Sequence, residues 1–108
     1  MANWQNVTPQ AMLELLESGQ VKPEQLIDVR EPYEWDYYHI DQSKLIPMNT
    51  IPLIISELMQ EQPIYVICAH GVRSVAVCSY LEEQGCSGIH NVTGGMAAIA
   101  SLKGFRYD

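Results

Sequence analysis

Residues 64–83, IYVICAHGVRSVAVCSYLEE, place a thiol, Cys68, between an unbroken apolar run and a four-residue stretch that leads to Arg73 and Ser74. The four residues are Ala69, His70, Gly71 and Val72. A loop this short can turn successive backbone N–H groups inward and form a concave anion nest, with Gly71 permitting conformations that other residues resist. The following run begins a helix, whose N-terminal dipole reinforces the same field. A cysteine held there ionises readily, and its thiolate is a nucleophile. The competing reading is a structural cysteine, because free thiols are among the most buried groups in proteins.

The elements around this stretch alternate between strand and helix. VTPQAMLELLESGQ predicts a helix with Thr8 as N-cap and Pro9 at the first helical position, ending near Gly19. QLIDVR reads as a short buried strand, EPYEWDYYHI as a turn or short helix opened by Pro32, and KLIPM as a second strand stopped by Pro47. TIPLIISELMQ predicts a helix capped by Thr50, with Pro52 near its start where a missing N–H does no harm. PIYVIC lacks polar alternation, as expected of a parallel strand covered on both faces. SVAVCSYLEEQG predicts a helix terminated by Gly85, IHNV a last strand, and GGMAAIASLKG a last helix. This order implies the α/β class with a mainly parallel sheet, and it puts Cys68 at the carboxyl end of a central strand, where such sheets bind ligands.

Composition narrows the function classes. The 108 residues form one expected domain, 1–108, with 47% hydrophobic residues, enough for a core. Six Lys plus Arg against thirteen Asp plus Glu give a formal charge of −7, which argues against nucleic acid or an anionic membrane as partner. No apolar run approaches the ~20 residues of a membrane helix, and MANWQNVTPQ has neither a basic start nor an apolar signal core. A cytoplasmic monomer is expected. Three cysteines, Cys68, Cys78 and Cys86, without a C-x-x-C pair suit free thiols in a reducing compartment. His39, His70 and His90 show no metal-ligand spacing, so no metal is expected.

CAHGVRS following IYVI resembles the active-site loop of rhodanese-like sulfurtransferases. LIDVREPYEW is similar to that family's Asp-x-Arg stretch with its following glutamate. YHIDQSKLIPM is similar to its His-Ile and Ile-Pro segment, and GCSGIHNVTGGMAAI to the end of its fold with paired glycines. These motifs occur in the family's order, which is more specific than any one of them. There are departures: Tyr38 stands where the family has a glycine, Asp41 and Gln42 replace Pro-Gly, and Ile99 occupies a position commonly tryptophan.

The resemblance implies a rhodanese-like α/β fold with a central, mainly parallel five-stranded sheet flanked by helices. It implies that Cys68 takes a sulfane sulfur from a donor such as thiosulfate, holds it as a persulfide and passes it to cyanide or a thiol, including a protein thiol. Ala69, His70, Gly71, Val72, Arg73 and Ser74 would form the substrate-binding loop, with Asp28 and Arg30 supporting it and no cofactor required. Arg73 has two open readings: attraction for an anionic donor, or bracing of the loop through Glu34 or Asp28. Cys78 reads as packing, and Cys86 as lying nearer a surface. Cysteine-dependent phosphatases place five residues between cysteine and arginine, and the smaller ring here suits one added sulfur atom better than a tetrahedral phosphate. A phosphatase or arsenate reductase on the same fold, and a non-catalytic interaction module, are the alternatives.

Overall fold

The computed structural model describes residues 3–60 and 63–107; the first two residues of the N-terminal stretch and the extreme ends of the expected 1–108 domain lie outside them. Strand β1 (Gln5–Val7) leads into helix α1 (Pro9–Glu17), followed by β2 (Leu26–Asp28), α2 (Pro32–Tyr37) and β3 (Lys44–Leu45). Next come α3 (Ile55–Leu58), β4 (Ile64–Ile67), α4 (Arg73–Glu83), β5 (Ile89–Val92) and α5 (Gly95–Leu102). Thr8 starts α1 as expected: its Oγ1 accepts from the Ala11 N–H at 3.1 Å, with Pro9 at the first helical position, where no N–H is needed.

The five strands form one sheet in the order β1-β5-β4-β2-β3, and every neighbouring pair is parallel. Strand β4 lies in the middle, registered through Val66 with Ile27 of β2 and Asn91 of β5. All four of its residues are buried, which accounts for the missing alternation. Ile64 and Val66 join one core with Val77, Cys78 and Leu81 of α4. Tyr65 and Ile67 join a second core with Met12 of α1 and Met96 and Ile99 of α5. Each fully buried aliphatic side chain contributes roughly 1.5–3 kcal/mol, so the carboxyl end of β4 is clamped from both faces.

Two elements differ from the sequence reading. Strand β1 was not among the strands read from the sequence. Its three residues pair with β5 alone at the sheet edge, and QNV carries no hydrophobic alternation to reveal it. The helix expected over 50–60 is instead a 3-10 segment, Met48–Ile54, followed by the single turn α3. Pro52 lies inside the 3-10 segment, and its ring and missing N–H disfavour a continuous α-helix there. Thr50 is not the cap; its Oγ1 donates to the Pro47 carbonyl at 2.7 Å. Among the described residues, no helix is long and apolar enough to cross a membrane.

Candidate active site

Cys68 follows β4 directly and is 1% exposed. The chain then bends through Gly71, whose φ of +98° strains any residue with a Cβ, and enters α4 at Arg73. This bend turns the loop around the sulfur. The Gly71 N–H donates to Sγ at 3.0 Å, and the Ser74 Oγ lies 3.3 Å from Sγ. Burial by itself would push the Cys68 pKa up, but the Ser74 hydroxyl and the N–H groups of Ser74, Gly71 and His70 outweigh it and hold the thiol below its ordinary value. Around this floor, Ala69 is buried, while His70 and Val72 are exposed at the rim.

The loop is fixed from behind by α5. Its first N–H groups, those of Met96 and Ala97, donate to the carbonyls of Cys68 and Ala69 at 2.7 and 3.0 Å. Gly95 makes this approach possible, because a Cβ there would lie 2.5 Å from both carbonyl oxygens. The second glycine of GGMAAI therefore serves the cysteine loop from a distant part of the sequence.

A chain of charges braces the loop from the side. The Arg73 guanidinium grips the Glu34 carboxylate in a two-pronged pair, Nη1–Oε1 at 2.7 Å and Nη2–Oε2 at 2.8 Å. The hydrogen bonds from Arg73 hold Glu34 down to about 2. Glu34 also accepts from the Glu31 N–H at 2.9 Å and so caps α2. Of the two partners considered for Arg73, Glu34 is the one it has. Asp28 is occupied by Arg30, and both are fully buried. Arg30 Nε and Nη2 bind the Asp28 carboxylate, and the rest of its fork donates to the carbonyls of Glu34 and Tyr38 and to the Tyr107 hydroxyl. The Tyr107 ring meets His70 edge-on, with centroids 5.9 Å apart. Asp28 and Arg30 thus tie β2, α2 and the C-terminal segment together behind the loop without touching the sulfur.

The other two thiols are placed differently. Cys78 lies in the α4 core, where burial pushes its pKa up to about 12, and burial also raises that of Cys86. Cys86 is 4% exposed, so it does not approach the surface as its position after Gly85 suggested; its N–H donates to the Leu81 carbonyl and folds it inward. Among the described residues, no group of three His, Cys, Asp or Glu side chains is gathered for a metal.

Sequence reasoning missed Asn91. It is 3% exposed in β5, accepts from the Ser74 hydroxyl at 2.5 Å and donates to Asn6 Oδ1 at 3.0 Å. The available signal was an amide inside the apolar strand IHNV, where a buried polar side chain requires partners.

A family model described as Rhodanese-like domain matches residues 8–102. A thiosulfate sulfurtransferase GlpE of Pseudomonas syringae is 33% identical over 95 residues, covering 88% of this chain and 86% of that protein. Other curated relatives are longer, and the chain spans 56% of one and 25% of another. The crystal structure of a rhodanese-like domain protein from Staphylococcus aureus is 38% identical, with a TM-score of 0.77 and coverage of 88% of this chain and 90% of that one. A Rhodopseudomonas palustris protein described as a possible tyrosine phosphatase has a TM-score of 0.83 over 93% of this chain and 82% of that one. At 19% identity, that likeness speaks to the fold alone.

Proposed function

The chain belongs to the rhodanese-like domain family, and from that premise we propose that it is a sulfurtransferase that carries sulfur on Cys68. The thiolate attacks the outer sulfur of a sulfane donor such as thiosulfate. A bond forms from Sγ to that sulfur as the donor's S–S bond breaks, and its electron pair leaves with sulfite. Cys68 then holds the persulfide. An acceptor, cyanide or a thiol, attacks the outer sulfur, and the electron pair of the Cys68 S–S bond returns to Sγ as thiolate. The product is thiocyanate or a new persulfide.

The observation that carries this reading is one buried sulfur that accepts from the Gly71 N–H at 3.0 Å and has the Ser74 hydroxyl 3.3 Å away. These donors are fixed before reaction, so they stabilise sulfur-borne charge without reorganising. Arg73 acts mainly as a brace, because its fork is already filled by Glu34. The four-residue span from Cys68 to Arg73 favours a single added sulfur over a phosphoryl group.

Mass spectrometry after mixing the protein with thiosulfate tests the proposal. The expected product is one added sulfur atom, localised to Cys68 and removed by cyanide. A phosphate adduct after treatment with a phosphoryl donor, with no sulfur adduct from thiosulfate or an organic persulfide, would replace this reading with the phosphatase one.

A further inference from the structure

The Ser74 hydroxyl has a single hydrogen and two neighbours that compete for it. On one side is Cys68 Sγ at 3.3 Å, and on the other Asn91 Oδ1 at 2.5 Å. Asn91 in turn reaches Asn6 Oδ1 through Nδ2, at 3.0 Å. Parallel pairing places Asn6 and Asn91 directly across from each other on β1 and β5, and Asn6 is exposed. A continuous line of hydrogen bonds therefore runs from the buried sulfur to the sheet edge.

As a thiol, Sγ–H donates to Ser74 Oγ, Ser74 donates to Asn91 Oδ1, and Asn91 donates to Asn6. When the thiol proton is released to solvent, the sulfur needs the Ser74 hydrogen. Asn91 Oδ1 would then lose its donor in a site where an unpaired polar atom is costly. Rotation of the Asn91 amide resolves this: Nδ2 donates to Ser74 Oγ, and Oδ1 turns toward Asn6. The exposed Asn6 amide can rotate to donate in reply. Each ionisation state then has a fully paired network.

We propose that Asn91, steered by Asn6, is a positioning residue that sets the direction of the Ser74 hydroxyl and thereby the acidity of Cys68. This rests on Cys68 being the sulfur carrier. The other ionisable groups around the sulfur are arranged separately. On α4 they are Arg73, paired with Glu34 of α2, and the buried Cys78; the loop supplies His70, and β2 the Asp28–Arg30 pair.

The pH dependence of iodoacetamide alkylation of Cys68 tests the proposal. Asn91→Asp and Asn6→Asp both supply only acceptors and hold the line in its thiol arrangement. Each should raise the apparent Cys68 pKa, Asn91→Asp by roughly one pH unit or more and Asn6→Asp by less. Gln5→Asp puts the same charge on the neighbouring exposed position outside the line and should leave the profile in place. The Asn6→Asp shift should persist in 1 M salt, where the screening length is about 3 Å. Asn6 lies on an exposed edge, so its variant stays informative if Asn91→Asp does not fold. An Asn6→Asp shift no larger than that of Gln5→Asp, or one abolished by salt, overturns the proposal. Failure of wild-type Cys68 to accept sulfur would instead overturn the sulfurtransferase reading.

Discussion

Cys68 and Cys78 are ten positions apart in sequence, belong to the same core, and are 1% and 0% exposed. Their acidities nevertheless move in opposite directions, Cys68 down and Cys78 up to about 12. Burial penalises both thiolates, so it cannot be the difference. The difference is what faces the sulfur. Cys78 sits among apolar side chains one helix deep, whereas Cys68 lies at the end of a strand inside a loop whose backbone donors point at it. The loop, not burial, separates the two acidities.

The sharpest way to break the comparison is to exchange the sulfurs. Cys68→Ser should lower sulfur transfer by at least ~1,000-fold, about 4 kcal/mol in the barrier, while circular dichroism and melting stay close to wild type. Retained turnover in that variant would move the nucleophile elsewhere.

The next test leaves the sulfur in place and disturbs the loop. A Cβ at residue 95 meets two backbone carbonyls, at a position whose φ is +66°, so Gly95→Ala should displace the loop. Activity should fall on the order of 100-fold or more, about 2.7 kcal/mol, with a lowered melting temperature. Wild-type activity in a folded Gly95→Ala protein would show that the α5 approach does not set the donor geometry.

Glu34→Gln removes one charge of the brace while keeping its shape. Activity should fall roughly tenfold, about 1.4 kcal/mol, as Arg73 loses its partner and the loop loosens. The same pair gives an acid signature. Because the folded pKa of Glu34 is lowered from 4.5 to about 2, its contribution to stability is complete above about 4.5 and is lost as the pH falls toward about 2. Urea unfolding of wild type and Glu34→Gln across that range should converge in acid; parallel curves would count against the brace.

The smallest catalytic effect is expected at Cys78. Cys78→Ser places a hydroxyl in an apolar core and should cost about 1–3 kcal/mol of stability, with the remaining folded protein close to full activity. Denaturant melts combined with activity per folded molecule would show this.

How much of this was legible in the sequence depended on whether local pattern or distant packing decided the outcome. The apolar run of β4, the Thr8-Pro9 start of α1 and the loop cysteine are local signals, and each produced the expected element or position. Strand β1 was hidden because an exposed, three-residue edge strand takes its conformation from its partner β5. The helix expected over 50–60 rested on Thr50 as cap and Pro52 near the start; the 3-10 segment instead begins at Met48, which leaves Pro52 inside it and Thr50 bonded to the Pro47 carbonyl. In the candidate site, the resemblance grouped Asp28, Arg30 and the cysteine loop. It did not indicate that Gly95 stands against the Cys68 carbonyl, or that Asn91 holds Ser74. Both contacts join residues 17 or more positions apart, and only the parallel order of the sheet brings them together.

The most direct test of the claim that the loop makes Cys68 reactive is residue-resolved alkylation of the native protein by iodoacetamide as a function of pH. Cys68 should react with a midpoint below the ~8.5 of a free cysteine, while Cys78 stays unmodified until the protein unfolds. A Cys68 midpoint at or above that value, or equal protection of the two thiols throughout, would contradict the account.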